Sequence, residues 1–244
     1  MMRIGTLDEA RRNRRKLTLA NGTGYFKSEL IASEFDVQFG PHAFLVEQDP
    51  ESVILPHFHV VNEFQLVVQG GGLFGRHPVA PLTVHYAGAY TGYGPITANA
   101  DGLWYFTLRP NMEHGAQFLP EARDRMPRGA PKRHLLGSCA TGATACTAPA
   151  VENVIEPQAD GIAAWLLRLP PDGETQAPAH PGAKGRFYFV CAGALRWEGK
   201  ELGRWANVFV SADEEPVRLA AAADGAEVLV LQFPQEKEIV HASS

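Results

Sequence analysis

The apolar positions of this chain fall in short runs, not in helical stripes. Ser52–Leu55, Phe64–Val68, Thr83–Tyr86 and Trp104–Leu108 are rich in β-branched and aromatic residues and are bounded by Gly or Pro, which predicts strands. Ala164–Leu167, Arg186–Cys191, Asn207–Val210 and Val228–Phe233 play the same parts in the second half. Tyr25–Glu29 and Phe35–Phe39 are candidates for edge strands near the start. Regularly spaced strands with no helical crossovers predict an all-β barrel or sandwich and exclude a Rossmann or TIM arrangement. Gly70-Gly71-Gly72-Leu73-Phe74-Gly75 contains a G-x-G-x-x-G match, but Arg76-His77-Pro78 follows and cannot open a helix. The glycines therefore read as a hairpin turn, not a dinucleotide site.

The pattern is written twice. A shift of 123 positions lays His57 on His180, Phe64 on Phe187, Val67 on Val190 and Gly70 on Gly193. The same shift lays Ala98-Asn99-Ala100-Asp101-Gly102 on Ala221-Ala222-Ala223-Asp224-Gly225, and Leu108 on Leu231. One offset held across a turn, a strand and a second turn implies a duplicated unit of about 80–100 residues. Gly137–Ala150 is Ser-, Thr-, Ala- and Gly-rich without hydrophobic period, so the expected division is 1–135, a linker 136–152, and 153–244.

Composition adds constraints. The chain has 244 residues, 45% hydrophobic and 20% charged, with 24 glycines and 18 prolines, which is ordinary for a globular protein but leaves little room for long helices. A net charge of −5 attracts neither nucleic acid nor an anionic membrane. The run Arg11-Arg12-Asn13-Arg14-Arg15-Lys16 follows Thr6-Leu7-Asp8-Glu9, a capping-box pattern, and reads as the solvated face of a short N-terminal helix. No apolar stretch is long enough to span a membrane. Cys139, Cys146 and Cys191 lack CxxC spacing and fit a reducing cytoplasm.

Candidate chemistry is concentrated at Pro56-His57-Phe58-His59-Val60-Val61-Asn62-Glu63. Alternate side chains of a strand share a face, so His57 and His59 point together, Phe58 points away, and Glu63 has their parity. Two imidazoles and a carboxylate with open positions suit Fe, Mn, Ni or Zn as a single divalent ion. The spacing H-x-H-x3-E-x6-G, ending at Gly70, resembles the first motif of the cupin superfamily in every element. That resemblance implies two tandem cupin barrels (double-stranded β-helix or jelly roll) and a metal held by His57, His59 and Glu63. It extends, more weakly, over residues 40–110 and 160–235.

Two departures modify it. The family's second motif, falling near Gly88–Asn99, lacks its histidine: Ala98 or Asn99 stands there, and His85 on the preceding strand is the remaining candidate for a fourth ligand. In the second repeat the three ligand positions hold His180, Gly182 and Arg186, which cannot bind a cation. That barrel is expected to serve packing, with Arg186 in a structural salt bridge or, alternatively, on an anionic ligand. Arg109, just past a strand end, is a candidate for recognising a substrate carboxylate at the barrel mouth. Tyr90, Tyr93, Trp104 and Tyr105 could line an aromatic pocket or be plain core. His42, His77, His114, His134 and His241 read as surface or loop residues.

Two functional readings follow. One is a metal-dependent enzyme of the cupin kind acting on a small organic molecule, an oxygenase first, an isomerase or hydrolase otherwise. The other is a non-enzymatic module that binds or senses a small molecule in the barrel cavity. Exposed barrel edges favour a homodimer.

Overall fold

The computed structural model describes residues 1–32, 40–113, 115–129, 132–142, 146–181, 183–214 and 217–235. The first half begins with β1 (Met2–Gly5), α1 (Leu7–Arg11), β2 (Arg15–Thr18), β3 (Gly24–Ile31) and β4 (His42–Gln48). It continues through β5 (Val53–Ile54), β6 (His57–Phe58), β7 (Glu63–Phe74), β8 (His77–Val79), β9 (Thr83–Ala87), β10 (Ile96–Arg109), β11 (Gln117–Phe118) and β12 (His134–Ser138). The second half holds β13 (Ala150–Ile155), β14 (Ala163–Leu169), β15 (Glu174–Gln176), β16 (Ala183–Trp197), β17 (Lys200–Leu202), β18 (Asn207–Ser211) and β19 (Arg218–Pro234). Two large antiparallel sheets result, ordered β12-β9-β7-β10-β4-β3-β2 and β1-β18-β16-β19-β14-β13, and β6 pairs with β11 in a third, two-stranded sheet. Every strand predicted from the pattern is present, except that Phe35–Phe39 lies outside the described residues.

The duplication is visible in the hydrogen-bond register. In the first sheet Phe64 faces Leu108, Leu66 faces Phe106 and Gly70 faces Leu103. In the second, Phe187 faces Leu231, Phe189 faces Leu229 and Gly193 faces Ala226, each pair displaced by the sequence offset. Gly70 and Gly193 both adopt a left-handed backbone, φ 71° and 66°. A Cβ on either would lie 2.0 or 2.1 Å from the carbonyl oxygen of Gly102 or Gly225. Only glycine allows so close a strand crossing. The glycine run is thus not simply a turn: residues through Phe74 belong to β7, and the chain reverses only after it.

Strand parity sorts the interior. On β7, β9 and β10, the side chains of Phe64, Leu66, Val84, Tyr86, Phe106 and Leu108 join a layer shared with Phe187, Phe189, Leu229, Leu231 and Phe233 of the other sheet. The two sheets therefore pack face to face through one apolar layer, with Phe64 against Phe233 at 4.9 Å between ring centres. The opposite faces turn into the two barrels. That of the second barrel is filled by Trp165, Leu167, Tyr188, Val190, Val208 and Val230. That of the first is partly polar, and the cavity forms there.

Three expectations need correction. The basic run does not continue a helix: α1 ends at Arg11, and Arg15–Lys16 start β2. Arg14 instead stacks on Phe26 and pairs with Glu47, while Arg15 pairs with Glu29. The Glu9 carboxylate accepts from the Thr6 hydroxyl at 3.0 Å, so no capping box closes on the backbone. Finally, the sheets cross the expected boundaries: β1 pairs with β18 in the second sheet, and residues 136–138 extend β12 in the first.

Phe64→Ala and Phe233→Ala should each cost about 3–5 kcal/mol in equilibrium denaturant unfolding, the range for deleting a fully buried aromatic ring. The double variant should cost less than the sum, because each ring packs on the other. Additive losses would show that the two barrels do not share one core.

Candidate functional site

The site is assembled from three edges of the first barrel. β6 carries His57 and leads into His59, whose rings lie 5.2 Å apart, while Phe58 turns away and is fully buried. Glu63 opens β7, and its Oε2 lies 3.8 Å from His59 Nε2. The three residues singled out from the sequence therefore converge as predicted from their parity.

They do not converge on open space. Arg109, the last residue of β10, turns its guanidinium inward, and Nε and Nη2 donate to Glu63 Oε2 at 2.9 and 2.8 Å. The same Nη2 lies 3.1 Å from His59 Nε2. Arg109 is 4% exposed and Glu63 is wholly buried. Burial would weaken the guanidinium charge, but Glu63 and Glu113 more than offset it, so the arginine pKa is raised. Burial alone would also raise the Glu63 pKa; His59, Arg109 and the Tyr93 hydroxyl together hold it at about 2. The expectation that Arg109 waits at the mouth for a substrate carboxylate is corrected: it is inside, saturated by the protein's own carboxylates.

Glu113, which nothing in the sequence singled out, completes the cluster. Its Oε1 accepts from His59 Nδ1, its Oε2 accepts from the Val60 backbone N–H at 2.8 Å, and it pairs with Arg109 Nη1 at 3.3 Å. Arg109 Nη2 lies 3.1 Å from both His59 ring nitrogens, so the guanidinium stands against the imidazole as a whole and not on one of its nitrogens. Tyr93 supplies a fourth polar group. Its hydroxyl donates to Glu63 Oε1 at 2.5 Å, lies 3.0 Å from His57 Nε2, and accepts from Gln65 Nε2 at 3.1 Å. Burial and the neighbouring Glu63 push the Tyr93 pKa well above its ordinary value, so the phenol keeps its proton. His57 donates Nδ1–H to the Leu55 carbonyl at 2.8 Å. One phenol proton cannot satisfy both Glu63 Oε1 and His57 Nε2, so the imidazole keeps acceptor capacity toward the cavity.

Tyr93, not Ala98 or Asn99, thus takes the fourth corner of the site. His85 does not swing in. Its Nδ1 donates to Gln65 Oε1 at 2.9 Å and its Nε2 faces His134 Nδ1 at 3.2 Å, one layer behind Tyr93. His134 is accordingly a partner of a buried histidine, not a bystander. Of the four aromatic candidates, Tyr93 and Tyr105 line the cavity; Tyr90 packs near Phe58, and Trp104 packs on the layer between the barrels. His114 and His241 lie outside the described residues.

The cavity above this cluster has a volume of about 440 Å³. Its walls follow strand parity: Tyr25, Lys27 and Glu29 from β3, His42, Phe44 and Val46 from β4, and Tyr105 and Thr107 from β10. His42, expected at the surface, is 2% exposed, and neither ring nitrogen has a hydrogen-bond partner. Burial lowers its pKa, and Glu29 Oε1 stands 3.9 Å away. Glu29 also accepts from Lys27 Nζ at 2.9 Å and from Arg15 at 2.8 Å.

A divalent ion fits this arrangement poorly. An ion about 2.0–2.2 Å from both His59 Nε2 and Glu63 Oε2 would lie in contact with Arg109 Nη2, which stands 3.1 and 2.8 Å from those atoms. Even at about 4 Å a dication is repelled by a guanidinium by roughly 8 kcal/mol, twice the unit-charge value at an effective dielectric of ~20, and here it would be closer. Among the described residues no group of three or more His, Cys, Asp or Glu is disposed to hold a metal ion. The triad with open positions expected from spacing is not what the side chains form, because a residue 46 positions beyond Glu63 enters it.

No protein-family model and no curated protein sequence matches the chain. Solved structures do match. A bacterial pirin, YhhW from Escherichia coli, in complex with nickel(II), superposes with TM-score 0.62 at 13% identity, covering 97% of this chain and 100% of that one. HEPD from Streptomyces albus, with 2-hydroxyethylphosphonate and Fe(II) bound, gives 0.59 at 10% identity over 96% and 76%. Salicylate 1,2-dioxygenase from Pseudoaminobacter salicylatoxidans, with gentisate, gives 0.56 at 12% identity over 95% and 81%. At such identities the likeness speaks for the fold, and it spans nearly the whole chain. With the duplicated register and the H-x-H-x3-E-x6-G motif, it makes this chain a protein of the two-barrel cupin fold.

Proposed function

We propose that the first barrel binds a small organic acid carrying a hydroxyl group, and that the second barrel supports it by packing. The observation that carries this reading is the unequal charge of the two ends of the cavity. At the floor, two carboxylates (Glu63 and Glu113) face one guanidinium (Arg109). Along the wall, two cations (Arg15 and Lys27) face one carboxylate (Glu29). With His42 and His57 neutral, a ligand anion is favoured at the wall and disfavoured at the floor. The floor instead offers the His57 Nε2 lone pair to a hydroxyl, and the wall offers the unpartnered nitrogens of His42. A cavity of about 440 Å³ suits a small ligand.

A metal-dependent oxygenase remains the second reading, favoured by the convergence of His57, His59, Glu63 and Tyr93. It requires Arg109 to leave Glu63. Binding is what the side chains support as they stand.

A thermal-shift panel of hydroxybenzoates, 2-oxo acids, β-diketones and catechols tests the first reading. A ligand at 100 times its Kd stabilises by about 2.7 kcal/mol, which for a chain of this size raises Tm by about 5–10 °C. Hydroxy acids should give that shift, and His42→Phe should weaken binding about tenfold through loss of its polar contact. A panel with no stabilising acid, or with hits indifferent to His42→Phe, would remove this proposal.

Stability should also fall with acid. Burial, then the neighbouring His59, depresses His57 to about 4; burial, then His134, depresses His85 to about 3. Both lie below the unfolded value of about 6.5, so between pH 6.5 and 4 the unfolded chain binds protons that the folded chain refuses. The free energy of unfolding should therefore decrease from pH 7 to 4, and less steeply in His85→Gln. A flat profile would show that these imidazoles protonate freely in the fold.

A further inference from the structure

We propose that Arg109 is the resident cation of the first barrel, holding permanently the position a metal ion would take, so that this site works without metal. The inference rests on where the guanidinium sits and not on which ligand fills the cavity.

The occupied point is defined by three distances. Arg109 Nη2 lies 2.8 Å from Glu63 Oε2 and 3.1 Å from His59 Nε2, while those two atoms are 3.8 Å apart. One nitrogen thus stands at the vertex that the two donors share. It donates to the carboxylate oxygen and lies 3.1 Å from both nitrogens of the imidazole, which closes the approach of a second cation to either group. The remaining bonds lock this arrangement. Nε binds the same Glu63 oxygen, Tyr93 takes the other, and Glu113 holds both His59 Nδ1 and Arg109 Nη1. An arginine is always charged and cannot leave as a neutral group. It also neutralises Glu63, which would otherwise be a bare carboxylate in a wholly buried position.

The second barrel makes the same substitution with the partners exchanged. Arg186 stands at the repeat position of Glu63, and Gln232 at that of Arg109. Their backbones are paired across β16 and β19, and Arg186 Nε donates to Gln232 Oε1 at 3.0 Å. The expected salt bridge at Arg186 is replaced by this amide contact. In both barrels, then, a guanidinium tied to the chain bridges the same two strands at repeat-equivalent positions. In one it extends from the later strand, in the other from the earlier.

The test uses the full-length protein expressed with added Mn, Fe, Ni or Zn salts and measures bound metal by elemental analysis. Thermal shifts with Ni(II) and Zn(II), and calorimetric titration with Ni(II), are recorded alongside. Wild type should carry no stoichiometric metal and show no metal-dependent shift, and a chelator should leave its Tm unchanged. Arg109→Ala should free Glu63 and His59 and gain Ni(II) affinity by at least about a hundredfold, abolished again by His57→Ala. One equivalent of metal in wild type, lost in His57→Ala, would overturn the proposal. So would a folded Arg109→Ala that gains no affinity. If Arg109→Ala does not fold, because Glu63 is left unpaired, the wild-type titration against His57→Ala decides alone. Ligand binding in the panel above is read separately, so loss of one proposal leaves the other measurable.

Discussion

The molecule depends on one apolar layer, the surface at which two antiparallel sheets lie face to face. Phe64, Phe106, Phe187, Phe189 and Phe233, all fully buried, fill it. Because strand side chains alternate, committing one set of positions to this layer leaves the intervening set to point into the barrels. Phe64 in the layer puts Glu63 and Gln65 inside; Leu108 in the layer puts Thr107 and Arg109 inside. The polar site is therefore a geometric consequence of the hydrophobic contact. A slip of one residue in β7 or β10 would empty the site and bury charge between the sheets.

Inside the first barrel the dominant interaction is the Glu63–Arg109 pair. Removing two charges from water costs several kcal/mol each, recovered only with good geometry and further hydrogen bonds. Both conditions hold here: two nitrogens of one fork reach one carboxylate oxygen, and Tyr93 satisfies the other. Such a pair adds little net stability compared with apolar packing, but removing one partner leaves an uncompensated buried charge. The pair specifies the site more than it stabilises the fold.

The two barrels took different routes from one repeat. The second filled its interior with Trp165, Tyr188, Trp197 and aliphatic residues and holds an Arg186–Gln232 contact. The first kept histidines, carboxylates and a cavity. His42, His57 and His85 are held in their neutral forms by desolvation, which makes them hydrogen-bonding groups at neutral pH, not charges. Packing against a filled barrel lets the cavity-bearing one lose interior contacts without losing its outer face.

Much of this was legible in the sequence, because it is local or periodic. The strands follow from runs of β-branched and aromatic residues. The duplication follows from one offset, and Gly70 and Gly193 keep their places because no other residue tolerates the crossing carbonyl. The convergence of His57, His59 and Glu63 follows from parity over seven residues. What only the tertiary structure decided is what stands among them. Arg109, Glu113 and Tyr93 arrive from strand ends and loops 30 to 54 residues away, through strand register and the direction of a chain turn. His42 looks like a lone loop histidine until β4 pairs with β10 and turns it inward. Spacing can bring ligands to one face; it cannot tell whether the cation they meet is an ion from solution or a guanidinium carried by the chain.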